Sequence, residues 1–122
     1  MARILVIEDN PSNMKLVALM LDAIGHSVIE AYEAVEGIRL AQAERPDLIL
    51  MDIQLPGMDG LEATRRLKAD PLTQNIKVVA LTAFAMKGDE ERMRAAGCDD
   101  YIPKPIRHAD FVGRISGLLS AG

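Results

Sequence analysis

The chain has 122 residues, of which 49% are hydrophobic and 26% charged, which suits one globular domain of ordinary size. That length excludes separate substrate and cofactor domains, and eighteen acidic against fourteen basic side chains, a net charge of −4, carry no electrostatic footprint for nucleic acid. No stretch approaches the roughly 18 apolar residues of a membrane span, the N-terminus with its single Arg3 does not read as a signal peptide, and the lone Cys98 cannot close an internal disulfide, so a cytoplasmic protein is expected.

In chain order, short apolar runs alternate with stretches of helical spacing. Ile4–Ile7 is an unbroken aliphatic run and predicts a strand. Asn10-Pro11 reads as a helix cap followed by proline at the first helical position. Met14, Val17, Ala18, Leu21 and Ile24 then form one stripe, closed by Gly25. Ser27–Ala31 is a weaker strand, and Ala34, Ile38 and Ala41 mark a second helix stopped before Pro46. Leu48–Met51 is the next apolar run. Asp59, with Glu62 three residues on, has the form of a loose capping box opening a helix at Gly60–Ala69. Val78–Leu81 predicts a fourth strand and Gly88–Ala96 a helix ending at Gly97. A weaker strand at Asp100–Ile102 follows, and Phe111, Ile115 and Leu118 place a last helix that ends near residue 119.

The strong runs show no polar alternation, as befits strands buried on both faces of a parallel sheet. Strand and helix repeat five times. The predicted fold is therefore α/β: a doubly wound, five-stranded parallel (βα)5 sheet in the flavodoxin-like order 2-1-3-4-5. Residues 1–122 are expected to form one domain, without linker, repeat or output domain.

In such sheets ligands bind at the carboxyl ends of the strands. The first strand runs into Glu8-Asp9, the third into Asp52, the fourth into Thr82, and Lys104 follows the fifth. The first and third strands are neighbours in the predicted order, so three carboxylates converge. Each pair of such charges at 4 Å costs about 4 kcal/mol at an effective dielectric near 20. Either some are protonated or a cation sits among them. Oxygen donors without nearby His or Cys favour Mg²⁺, and Lys104 with the Thr82 hydroxyl suits phosphoryl oxygens. Taken singly, Asp9 is an ordinary cap, Thr82 a strand end and Lys104 a loop lysine. Together the four strand ends are specific.

The stretches Ile4–Asn10, Pro46–Gly60, Val79–Ala83 and Lys104-Pro105 resemble the receiver domain of bacterial two-component response regulators, in order and spacing, over nearly the whole chain. Glu8-Asp9-Asn10 and the run from Thr82 to Arg92 are most similar to single-domain regulators of the DivK type. The resemblance implies that Asp52 accepts a phosphoryl group from a phosphohistidine. It implies that Asp9 and Asp52 bind Mg²⁺ directly, Glu8 through water, and Gln54 through its backbone carbonyl. Thr82 and Lys104 would hold phosphoryl oxygens, Tyr101 would be the aromatic switch, and Lys104-Pro105 matches a peptide bond often cis in the family. Glu8 departs from the Asp found in many receivers. Gln54 and Phe84 fall at positions that tune the lifetime of the phosphoryl group; an apolar Phe84 cannot orient a hydrolytic water, so slow self-dephosphorylation is expected. Tyr101 alone would read as a half-buried strand aromatic.

The implied partners are a histidine kinase or phosphatase, or a phosphotransfer protein, and a downstream protein that reads the face of the fourth helix, fifth strand and fifth helix. The helix at Gly88–Ala96, with its acidic opening and few large apolar residues beyond Met93, is the expected moving part. The protein would be a monomer or a phosphorylation-dependent dimer. It would be a signalling switch and not an enzyme, with neither nucleic acid nor membrane as partner. Arg65, Arg66 and Lys68 make one modest basic patch, and Cys98, His26 and His108 show no site spacing. Three other readings remain open. A haloacid-dehalogenase-type phosphatase also uses an Asp after an apolar strand, but normally with a second acid where Gln54 stands. A flavin or dinucleotide module needs a Gly- or Ser/Thr-rich loop where Glu8-Asp9-Asn10 stands. A receiver excised from a hybrid kinase or larger regulator would keep fold and chemistry.

Overall fold

The computed structural model describes residues 1–83 and 87–120. Ten elements alternate among them: β1 (Arg3–Ile7), α1 (Pro11–Ala23), β2 (Ser27–Ala31), α2 (Ala34–Glu44), β3 (Leu48–Asp52), α3 (Gly60–Ala69), β4 (Lys77–Thr82), α4 (Lys87–Ala96), β5 (Asp100–Pro103) and α5 (His108–Ser120). All strand pairs are parallel, in the predicted order β2-β1-β3-β4-β5. β3 is buried from end to end, and β1 and β4 from their second residue onward. These are the three runs that stand out in the sequence. β2 and β5 form the edges and are only partly buried, so their side chains must also suit water and their apolar pattern is weaker. No helix of the described residues is long and apolar enough to cross a membrane.

Strand alternation deals the core into two layers. Ile4, Val6, Leu48, Leu50, Val79 and Leu81 meet Met14, Val17 and Leu21 of α1 and Phe111 and Ile115 of α5. Leu5, Ile7, Ile49, Met51 and Val78 face the other way, against Ala34 and Ala41 of α2 and Ala63 and Leu67 of α3. Ala80 extends that second face toward α4, where Leu61, Met93, Ala96 and Cys98 gather. Each large aliphatic chain so enclosed contributes roughly 2 kcal/mol. In α1 the covered face is wider than the predicted stripe: Met20 is buried while Ala18 is only half-buried, because the helix packs on α5 as well as on the sheet.

Helix ends follow the local chemistry with two differences. Asn10 Oδ1 accepts the Ser12 and Asn13 N–H groups at 2.9 and 3.1 Å, ahead of Pro11. Asp59 Oδ1 likewise accepts from the Glu62 N–H at 2.9 Å, but the Glu62 carboxylate turns to Arg65 and Arg66, so only half of a capping box forms. α2 ends on Arg45 in the left-handed conformation, φ 45°, just before Pro46 and without a glycine.

The start of α3 is pressed onto the end of β3. The Gly60 N–H donates to the Ile53 carbonyl at 3.0 Å, and a Cβ on Gly60 would run into the Asp52 carbonyl oxygen and lie 2.8 Å from Ile53 Cα. Backbone cannot give way there as a side chain could. Gly60→Ala is therefore expected to lose about 2–3 kcal/mol of stability in urea unfolding. Gly113→Ala, on the open face of α5 where an added Cβ meets nothing within 4 Å, should instead gain up to about 1 kcal/mol. Coincident unfolding midpoints for the two variants would refute this packing account.

Candidate functional site

β1 and β3 are neighbours whose following helices pack on opposite faces of the sheet, which opens a crevice at their carboxyl ends. Ile7 pairs with Met51 at the last step of the ladder, so the next residues, Glu8 and Asp52, leave the two strands side by side. The Glu8 N–H still bonds the Ala31 carbonyl of β2 at 3.0 Å, which keeps the chain in line with the sheet for one residue more. Glu8 is 1% and Asp52 4% exposed, whereas Asp9 stands open to solvent. One carboxylate oxygen from each of the three lies within 4.8 Å of the others.

Buried anions need partners, and here each oxygen has one. Glu8 Oε1 accepts from the Asn10 N–H at 3.3 Å and the Asn13 side-chain amide at 3.4 Å. Asp52 Oδ1 accepts the Gln54 N–H at 3.0 Å. The remaining oxygens share Lys104, whose Nζ lies 3.1 Å from Glu8 Oε2 and 3.3 Å from Asp52 Oδ2. Lys104 reaches this place because its backbone N–H is bonded to the Thr82 carbonyl at 2.8 Å, beyond the Thr82–Pro103 pair that ends the β4–β5 ladder. The Lys104–Pro105 peptide is cis. Thr82 itself is buried, 2% exposed, one residue past Leu81, the partner of Asp52 across the β3–β4 ladder.

Convergence of acids leaves two ways out, protonation or a cation. Burial, reinforced by the Glu8 charge, pushes the Asp52 carboxyl from its usual 3.8 up to about 6, against the Gln54 N–H and the Lys104 ammonium, which favour the charged form. One lysine still cannot balance three carboxylates. The group offers hard oxygen donors and includes no His or Cys, so Glu8, Asp9 and Asp52 fit a Mg²⁺ ion. Solvent reaches the cluster from two sides. A cleft of about 550 Å³ is lined by Asp9, Gln54, Pro56, Asp59 and Arg92 among others, and one of about 370 Å³ by Asn13, Leu16, Ala83, Lys104 and Ile106.

Glu8, Asp9, Asp52 and Lys104 thus come together as the strand ends predict, with Thr82 beside them. Gln54 is exposed and touches the site through its N–H on Asp52. Tyr101 does not join the cluster. It sits further back on β5, opposite Ala80, with its hydroxyl donating to Glu90 of α4. Phe84 lies outside the described residues. Asn13 carries no signal in the sequence beyond its place three residues after the cap Asn10, yet its amide holds Glu8. Gly60 reads there only as the residue after a cap, though its missing Cβ is what lets α3 close on Asp52.

The basic patch is occupied by acids: Arg65 and Arg66 pair with Glu62, and Lys68 with Asp99. Cys98 is buried beside Thr64, and His26 Nδ1 accepts the Ala2 N–H at 3.0 Å, so both have structural surroundings.

Comparison with known proteins agrees with this geometry. Residues 4–116 match the family described as the response regulator receiver domain. The sequence is 49% identical to the polar-differentiation response regulator DivK of Brucella anthropi over 116 residues, 95% of this chain and 94% of that protein. The structure is similar to the receiver domain of a sensor histidine kinase from Pseudomonas aeruginosa PAO1, with TM-score 0.90 and 35% identity over 98% of each chain. In that domain a magnesium ion is coordinated in the active-site cleft. The chemotaxis protein CheY4 of Vibrio cholerae shares the fold at TM-score 0.92 and 23% identity, over 97% of this chain and 98% of that one. A buried acid pair bridged by a lysine at the switch point of a 2-1-3-4-5 sheet, with a family match along almost its whole length, makes this chain a member of the response regulator receiver family, the phosphorylation-dependent switches of two-component signalling.

Proposed function

We propose that the protein accepts a phosphoryl group on Asp52 from the phosphohistidine of a histidine kinase or phosphotransfer protein, and signals through altered protein contacts. The observation that carries this reading is the meeting of Glu8, Asp9 and Asp52 within 4.8 Å, with Lys104 bonded to two of them. In the transfer, an oxygen of Asp52 forms a bond to phosphorus as the P–N bond to the donor imidazole breaks, and the imidazole keeps the electron pair. Chemistry of this kind demands position and charge compensation more than covalent help from the protein. The Gln54 N–H fixes one oxygen of Asp52 and leaves the Lys104-bound oxygen as the nucleophile.

Once phosphorylated, Asp52 no longer offers that oxygen, and Lys104 passes to a phosphoryl oxygen, with Thr82 donating its hydroxyl to another. A Mg²⁺ held by Glu8, Asp9, Asp52 and the Gln54 carbonyl would offset the negative charge of cluster and phosphoryl group together. The Pseudomonas relative supports this, since its own cleft holds magnesium. The 49% identity with the Brucella regulator supports the same receiver reading of this chain. Its output would then be the face of α4, β5 and α5, with Tyr101 following Thr82 inward. Ligand-driven switching of this sort is limited by how much better the phosphorylated site fits one conformation than the other.

Incubation with acetyl phosphate and Mg²⁺ should add one phosphoryl group by intact mass, and either Asp52→Asn or chelation should abolish the addition. Incorporation into Asp52→Asn equal to wild type would overturn the assignment. With an apolar Phe84 two residues after Thr82 in the sequence, the acyl phosphate is expected to last minutes or longer at room temperature; decay within seconds would show that water is activated there after all.

The raised pKa of Asp52 has a separate consequence. Folded Asp52 holds its proton more tightly than the unfolded chain does, so its contribution to stability is present below about pH 4 and is lost as pH rises through about 6. In chelator at about pH 7.5, Asp52→Asn should be the more stable protein by about 2 kcal/mol in urea, with the advantage vanishing near pH 4. Greater stability of the wild type at neutral pH would contradict the burial of a strained charge.

A further inference from the structure

Tyr101 is held by residues that the reaction itself does not require. It lies on the side of β5 that faces α4: it pairs with Ala80, two residues before Thr82 on the same side of β4, and packs against the cluster of Leu61, Met93 and Ala96. Its hydroxyl donates a hydrogen bond to Oε1 of Glu90, in the first turn of α4. On its other side stands Arg114 of α5. The Arg114 guanidinium carbon is 5.7 Å from the ring centroid, and Nη1 donates to the Tyr101 carbonyl at 2.7 Å. Asp110 and Asp100 hold that guanidinium in turn, at 3.3 and 3.5 Å.

We propose that Glu90 and Arg114 act as a latch that holds Tyr101 in its resting place, and so set how readily the tyrosine follows Thr82 when Asp52 is phosphorylated. The proposal rests on the phosphoacceptor reading and adds two positioning residues to it. Glu90 is the effective half. The deeply buried side chains of α4, Met93 and Ala96, belong to its second half, so the bond to Tyr101 ties the acidic first half to the sheet. Inward movement of the phenol must break that bond. It leaves a free carboxylate on α4 and an unstacked guanidinium on α5, so one rotation changes the charge presented by both helices. A neutral phenol donating to a carboxylate is also consistent with the Tyr101 hydroxyl being pushed above its usual 10, first through that hydrogen bond.

The composition makes this directly measurable. The chain has two tyrosines and no tryptophan, so Tyr32→Phe leaves Tyr101 as the single emitter; Tyr32 is exposed, with its hydroxyl bonded to Glu30 and its N–H to Glu36. A hydrogen-bonded carboxylate quenches tyrosine emission. In that background at neutral pH, emission should rise in the order parent, Glu90→Gln, Glu90→Ala, since the Gln carbonyl still accepts but without charge. Phosphorylation by acetyl phosphate should accelerate in the same order, by about fivefold in Glu90→Ala, the effect of losing one such hydrogen bond. Unchanged emission and unchanged rate in Glu90→Ala would overturn the latch while Asp52 phosphorylation stood. Failure of every variant to take up a phosphoryl group would instead overturn the phosphoacceptor reading, and the emission series would still report whether Glu90 holds the tyrosine.

Discussion

Everything at the carboxyl end of the sheet follows from placing two almost fully buried carboxylates at the ends of adjacent strands. Glu8 and Asp52 are there because β1 and β3 pair in register and both stop at the switch point. Neither acid has bulk solvent to stabilise it, so the fold must supply donors. It does so from three separate places: the cap turn of α1 through Asn10 and Asn13, the β3–α3 turn through the Gln54 N–H, and the loop after β5 through Lys104. The local network is therefore a long-range constraint. Lys104 and Glu8 lie at opposite ends of the chain, and their ion pair closes the sheet from β1 to β5 through side chains.

A site satisfied in this way is poised and not inert. The donors are enough to keep every buried side-chain oxygen and nitrogen of the described residues partnered, yet they leave the acids outnumbering the cation. Burial, with the Glu8 charge beside it, accordingly raises the pKa of Asp52. A structure built only for stability would replace the pair with apolar residues, since buried ion pairs seldom repay their desolvation. Retention of the imbalance makes sense where a divalent cation and a phosphoryl group are the intended occupants, because both relieve it. The stability that the repelling acids sacrifice becomes affinity for a group that offsets their charge.

Much of this was legible in the amino-acid order, for a physical reason. Strands buried on both faces leave no room for polar residues, so β1, β3 and β4 appear as uninterrupted runs, and an acid directly after such a run is conspicuous. Cap chemistry at Asn10-Pro11 and Asp59 is equally local. What could not be read depends on contacts between distant segments. Asn13 looks like any first-turn polar residue until Glu8 is folded back beside it. Gly60 looks like a permissive turn residue until the Asp52 carbonyl is seen lying where its Cβ would be. Met20 joins the core because α5, ninety residues away in sequence, covers a second flank of α1. Tyr101 could be placed on β5, but its partners Glu90 and Arg114 come from two different helices that only the tertiary fold brings to it.

The division of labour between the two sheet faces completes the logic. α1 and α5 cover a face built from large interlocking side chains, Met14, Leu21, Phe111 and Ile115 among them, and such packing resists displacement. α4 rests on a smaller cluster in which Ala80, Ala96 and Cys98 replace large aliphatics. Small residues make fewer dispersion contacts, so moving α4 sacrifices less than moving α1 or α5 against the sheet. Thr82 and Tyr101 both face that weakly packed side. On the proposed reading, a Thr82 hydroxyl drawn toward a phosphoryl group would meet its least resistance along the path that leads past Tyr101 to Glu90, and the tightly packed opposite face would keep the displacement from spreading through the whole domain.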